Sequence, residues 1–126
     1  MHYGFANLTG ANRDEWEMFR PVVCAFNENR RRTVNFSGLA VGDESMSQWA
    51  PRTSAYGGLP TISFVKRKPR PLGTELKDVV DGVHRVLLFL EIQEGKEQMK
   101  TKKYFSEVGA TSACALRMSC GILDLQ

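Results

Sequence analysis

The residues with the best claim to chemistry are carboxylates placed near candidate strands. Asp81 closes a short apolar run, Asp43 and Glu44 follow a second, and Glu91 lies inside a third. A strand end is where a metal-dependent phosphoryl-transfer enzyme places its ligands. Hard Mg²⁺ ions prefer oxygen donors, and two ions about 4 Å apart can clamp the attacking and leaving oxygens of a phosphodiester. The same Asp81 precedes Gly82, so it also reads as the first residue of a tight Asp-Gly turn.

Other chemistries find little support. There is no G-x-S-x-G, P-loop or G-x-G-x-x-G motif, and the two histidines, His2 and His84, stand alone. His84 reads as a surface residue, Cys24 as a small core residue, and Trp16 and Trp49 as packing groups. Cys24, Cys114 and Cys120 are an odd number without C-x-x-C spacing, which fits a reduced intracellular protein and neither a disulfide framework nor a zinc site.

Positive charge is clustered. It falls in Arg30-Arg31-Arg32, in Arg52, in Lys66-Arg67-Lys68 with Arg70, and in Lys96, Lys100, Lys102 and Lys103. Such patches can contact phosphate, because neutralising it releases counterions without reading base sequence. They can equally be a solvated surface.

The elements that must carry these residues follow a mixed α/β order. A helix is expected over 12–30, with Asn12 as N-cap, Glu15 three residues later, and Trp16, Phe19, Val23 and Phe26 on one buried face. Pro21 should kink or divide it. Residues 34–41 read as extended, 51–60 as loop, 61–66 as a strand, and the proline-rich 68–73 as a connector. Leu76–Val80 and Val83–Gln93 form the strongest strand pair, with Asp81-Gly82 predicting a type I′ hairpin between them and Gly95 ending the second strand. A polar basic stretch over 96–103 precedes a helix at about 106–118, leaving 119–126 as a divergent tail.

The chain has 126 residues, 42% of them apolar and 25% charged, with 17 basic against 14 acidic side chains and a net charge of +3. These values suit one ordinary globular domain. The longest unbroken apolar run, Val86–Leu90, is far short of the about 20 residues a membrane helix needs, and the N-terminus has no secretory pattern.

Three segments, in order, carry a resemblance. Val41-Gly42-Asp43-Glu44-Ser45-Met46, then Lys68-Pro69-Arg70-Pro71-Leu72-Gly73-Thr74-Glu75-Leu76-Lys77, then Val79-Val80-Asp81-Gly82 running to Phe89–Lys96, resemble the piggyBac family of transposases. The family shows an I-D-E-x-M-like segment, a K-P-x-x-x-G-x-K segment, and a strand ending in an aspartate before a second strand closing on G-K. The resemblance covers roughly residues 13–116, a partial transposase domain over 12–118 following a tail at 1–11.

It implies a ribonuclease-H-like nuclease, incomplete here, in which acidic residues hold two divalent metals, usually Mg²⁺, for DNA strand cleavage and transfer at TTAA targets. On this resemblance Asp81 matches the first catalytic, metal-binding aspartate. Asp43, Glu44, Pro69 and Gly73 are motif positions with a structural role, and Arg52, Lys66, Arg67, Lys68 and Arg70 are candidate DNA contacts. Asp78 departs from the pattern, since a carboxylate buried in a central strand is costly. The strand carrying the second aspartate is expected after 110–116 and is not found there. The expectation is therefore a truncated fragment, inactive alone as a nuclease. The alternative is a non-catalytic module holding DNA or associating with a full-length transposase. A functional protein of either kind is expected in the nucleus, and otherwise inside the cell.

Overall fold

The computed structural model describes residues 16–48, 50 and 61–123. The elements run α1 (Arg20–Thr33), β1 (Ala40–Gln48), β2 (Ser63–Phe64), β3 (Leu72–Asp81), β4 (Leu87–Ile92), α2 (Lys96–Lys100) and α3 (Phe105–Leu123). This is the mixed α/β architecture expected from the sequence. The expected cap at Asn12, the loop over 51–60, Trp49 and Arg52 lie outside the described residues.

The sheet is antiparallel and centred on β3. β1 pairs along the whole of one edge, from Ala40 opposite Asp81 to Gln48 opposite Gly73. The other edge is shared: β4 takes the Leu76–Val80 end and β2 the Leu72–Gly73 end. The Asp43-Glu44 motif therefore lies within a strand, with Asp43 directly across from Asp78 and Glu44 across from Lys77. Asp78 is half-buried, so the deep burial expected for a central-strand carboxylate does not arise.

Val79, Leu88, Ile92, Trp16 and Ala113 are the buried apolar side chains among the described residues. At about 25 cal/mol per Å² of apolar surface removed from water, a set this short makes a thin core. Polar ties between elements accordingly hold much of the fold together.

Pro21 does not kink a helix. It sits in the first turn of α1, where its missing N–H costs nothing, and the helix begins there. Trp16 precedes the helix in a turn and is buried, its ring edge-on to Phe19 at 5.8 Å. The expected apolar face is only partly covered, since Val23 and Phe26 are half-buried while Phe19 is exposed. Cys24 is exposed and not in the core.

α1 instead shields the edge of β4. The Asn27 side-chain amide donates to the Leu90 carbonyl and accepts from the Leu90 N–H, both at 2.9 Å, satisfying the backbone as a neighbouring strand would.

The Asp81-Gly82 hairpin is present but is not a type I′ turn. Neither residue has positive φ; the left-handed position is Arg85, at φ 56°. The Arg85 N–H donates to the Asp81 carbonyl and the Asp81 N–H to the Val86 carbonyl, closing a longer loop, and the ladder slips between Val79 and Val80. The second strand ends at Ile92 and not at Gly95, which caps α2, a short helix where a polar stretch was expected.

α3 continues to Leu123, through residues expected to form a tail, and is broken at Gly109, where φ 78° and ψ 174° are not helical. No helix among the described residues is long and apolar enough to cross a membrane.

Candidate functional site

Asp81 is fully buried at the end of β3, at 0% exposure. Its carboxylate receives four hydrogen bonds. The Ser37 N–H donates to Oδ2 at 2.8 Å, and the Ser37 hydroxyl, the Val83 N–H and the His84 N–H donate to Oδ1 at 2.9, 2.9 and 2.7 Å. The His84 ring nitrogen Nδ1 lies 3.3 Å from Oδ1. Burial pushes the carboxyl pKa upward, but the His84 and Ser37 amides, the Ser37 hydroxyl and the Val83 amide outweigh it, holding the group well below the usual carboxylate range.

The local sequence accounts for this arrangement. Asp is suited to accepting from the amides two and three residues ahead, which tightens the turn. The segment 34–39 then crosses the hairpin, with the Gly82 N–H donating to the Leu39 carbonyl at 2.8 Å. Asp81 thus ties together the hairpin and the chain entering β1. His84 is 58% exposed, the surface position expected for it.

The remaining acidic residues are also engaged. Glu91 accepts two bonds from Arg117, and Glu94 is paired with Arg20 at 2.6 Å. Lys102 lies between them, 3.3 Å from Glu94 and 3.9 Å from Glu91, and donates to the Ile92 carbonyl. Glu44 is paired with Arg67 and with Lys77, and Lys77 also reaches Glu75 at 2.6 Å. Asp43 is 72% exposed, with Lys68 at 3.9 Å.

These donors do not fit the two-metal centre of a DDE-type transposase. Asp81 faces amide and hydroxyl donors, and among the described residues no three His, Cys, Asp or Glu side chains converge as a metal-holding group. The structure does not bring Asp81 together with Asp43 or Glu44, since Ala40 is the β1 residue opposite Asp81.

The basic segment 66–70 folds back on β1. Arg67 pairs with Glu44, Lys68 donates to the Glu44 carbonyl, and Arg70 donates to Gln48 at 2.7 Å. Lys66 and Pro69 are exposed. Arg67, Lys68 and Arg70 thus each have a partner within the chain, and Arg67 and Arg70 remain exposed. A Cβ at Gly73 would run into the Ser47 backbone of β1.

A groove of about 730 Å³ separates α3 from the face of β1 and β3 that carries Glu44, Lys77 and Val79. Cys114 lines it, and burial together with the nearby Glu91 raises its thiol pKa, making it a poor nucleophile at neutral pH.

Sequence reasoning missed Ser37, Asn27, and the partners of Glu91 and Glu94. One signal was available, because two glutamates within and just after an apolar strand require buried cations.

Together these features define a mixed α/β domain whose acidic motifs are built into an antiparallel sheet and satisfied by its own cations and amides. Comparison with family models places it: residues 2–124 match the family described as Transposase IS4. The chain belongs to that transposase family. No curated protein and no solved structure matches it.

Proposed function

We propose that this chain is a transposase-derived module of the piggyBac type, related to ribonuclease-H-like nucleases, that binds DNA and does not cut it unaided. The observation that carries the second part is the state of Asp81, whose two oxygens hold Ser37, Val83 and His84 in place. Oδ1 already accepts three hydrogen bonds and Oδ2 a fourth, so a metal would compete with these donors for the carboxylate. Family membership over residues 2–124 supports DNA as the partner. The ordered motifs around Asp43, Gly73 and Asp81 support the piggyBac branch. A DNA partner would give the chain its work in the nucleus.

The test is a cleavage assay on terminal-repeat DNA with Mg²⁺, beside a duplex-binding titration. Binding without nicking is the expected result. Robust cutting that disappears in Asp81→Ala would overturn the non-catalytic reading.

A further inference from the structure

The fold gathers arginines at one end of the molecule. Arg20, at the start of α1, meets Glu94, and Asn27, two turns later, meets Leu90, so the helix runs antiparallel to β4 and ends near the hairpin. From Thr33 the chain reaches Ser37, on the Asp81 carboxylate, in four residues, a span of at most about 14 Å. Arg30, Arg31 and Arg32 in the last turn of α1 therefore share this end with Arg85 of the hairpin.

Arg67, Lys68 and Arg70 are held on β1, Lys100 pairs with Glu97, and Lys102 with Glu91 and Glu94. At the hairpin end, Arg31 and Arg32 both reach Glu28, and Arg30 lies over the Phe26 ring at 5.0 Å. Asp81, at this same end, is buried. Cations in a last helical turn complement the helix dipole, which gives Arg30–Arg32 a local role as well.

Arg85 has no such role. It is exposed and takes a left-handed backbone conformation at φ 56°, where glycine would be free of strain. A charged side chain at a strained, exposed turn position is placed for a contact outside the chain. Arginine supplies a permanent charge and a planar fork that matches phosphate oxygens in pairs.

We propose that the end of the molecule carrying Arg30, Arg31, Arg32 and Arg85 is the docking surface for the phosphate backbone of duplex DNA. This rests on the reading of the chain as DNA-binding, and it moves the contact away from the 66–70 segment.

The experiment is fluorescence anisotropy of the full chain with a short mixed-sequence duplex at about 50 and about 200 mM salt, where phosphate contacts lose affinity steeply. Combining Arg85→Gly with Arg32→Gln should weaken binding roughly tenfold and reduce the salt slope by about two, one per cation removed. Arg85→Gly alone should keep or raise the Tm, because glycine accepts that φ, so lost binding cannot be ascribed to lost folding. A Lys96→Gln, Lys100→Gln control, equal in charge, should bind within about twofold of the unmodified chain. If the unmodified chain binds and the arginine variant binds equally well, the surface is wrong and the DNA-binding reading stands. If the unmodified chain does not bind duplex DNA at low salt, both fall. Tighter binding to duplex RNA would overturn the assignment to DNA.

Discussion

Arg117 on α3 grips Glu91 on β4 through two parallel bonds, Nε to Oε2 at 2.7 Å and Nη2 to Oε1 at 2.8 Å, with both side chains about nine-tenths out of solvent. The hydrogen bonds to Glu91 raise the arginine's pKa further, so the guanidinium stays charged. Removing one partner leaves a buried charge uncompensated, at a typical cost of about 3–5 kcal/mol. Arg117→Ala should therefore destabilise the chain by about that amount in urea unfolding, softened by Lys102 at 3.9 Å. A double variant, Glu91→Gln with Arg117→Met, should recover most of the loss. Equal destabilisation by both would mean that packing, and not charge, sets the effect.

Gly73 links the motif at 68–77 to the one at 41–46. It stands opposite Gln48 on β1 and Ser63 on β2, and a Cβ at Gly73 would meet backbone atoms of Ser47 that cannot rotate away. Gly73→Ala should separate β1 from β3 at that end and cost about 1–3 kcal/mol, as overpacking does. Hydrogen exchange is the direct measurement, with protection expected to fall at Met46–Gln48 and to persist near Asp81.

What the sequence disclosed, and what it hid, follows from how local each cause is. The strands around Leu76–Val80 and Leu87–Ile92 were legible because alternation and β-branched composition act within a few residues. The Asp81-Gly82 turn was located correctly and mistyped, because its geometry depends on Ser37, more than forty residues away. The apolar spacing extends past Pro21 and so predicts a kink or a division there, although a helix beginning at that point satisfies the same residue. Of the candidate site, the motif positions were visible, but their engagement was not. Nothing near Arg67 in the sequence announces that Glu44 will neutralise it.

Gly109 divides α3 at a left-handed position with nothing within 4 Å of where a Cβ would stand. Its substitution therefore isolates the backbone term. Gly109→Ala should cost about 1–3 kcal/mol, because φ 78° with ψ 174° is a region essentially restricted to glycine. Gly38, at φ 94° and equally open, should respond alike to alanine. Thermal unfolding of the two variants checks this, and a neutral Gly109→Ala would show that the helix can straighten without penalty.

The depressed pKa of Asp81 makes a claim about acid stability whose sign can be worked out. The folded carboxylate holds its proton less tightly than the unfolded one, whose pKa is about 3.9. As pH falls through that value the unfolded chain takes up a proton that the folded chain does not, which favours unfolding. The contribution of Asp81 is thus present above about pH 5 and is lost progressively below pH 4. Asp81→Asn keeps the shape but removes the charge from all four hydrogen bonds and, with its amide nitrogen in place of Oδ2, turns a donor towards the Ser37 N–H. The variant should unfold several degrees lower at pH 7, and its stability should vary less than that of the unmodified chain between about pH 5 and pH 2. Urea titrations across that range decide the matter. Parallel pH profiles for the two chains would mean that Asp81 does not hold its charge in the folded hairpin. The proposal that this carboxylate serves the fold and not a metal would then lose its basis.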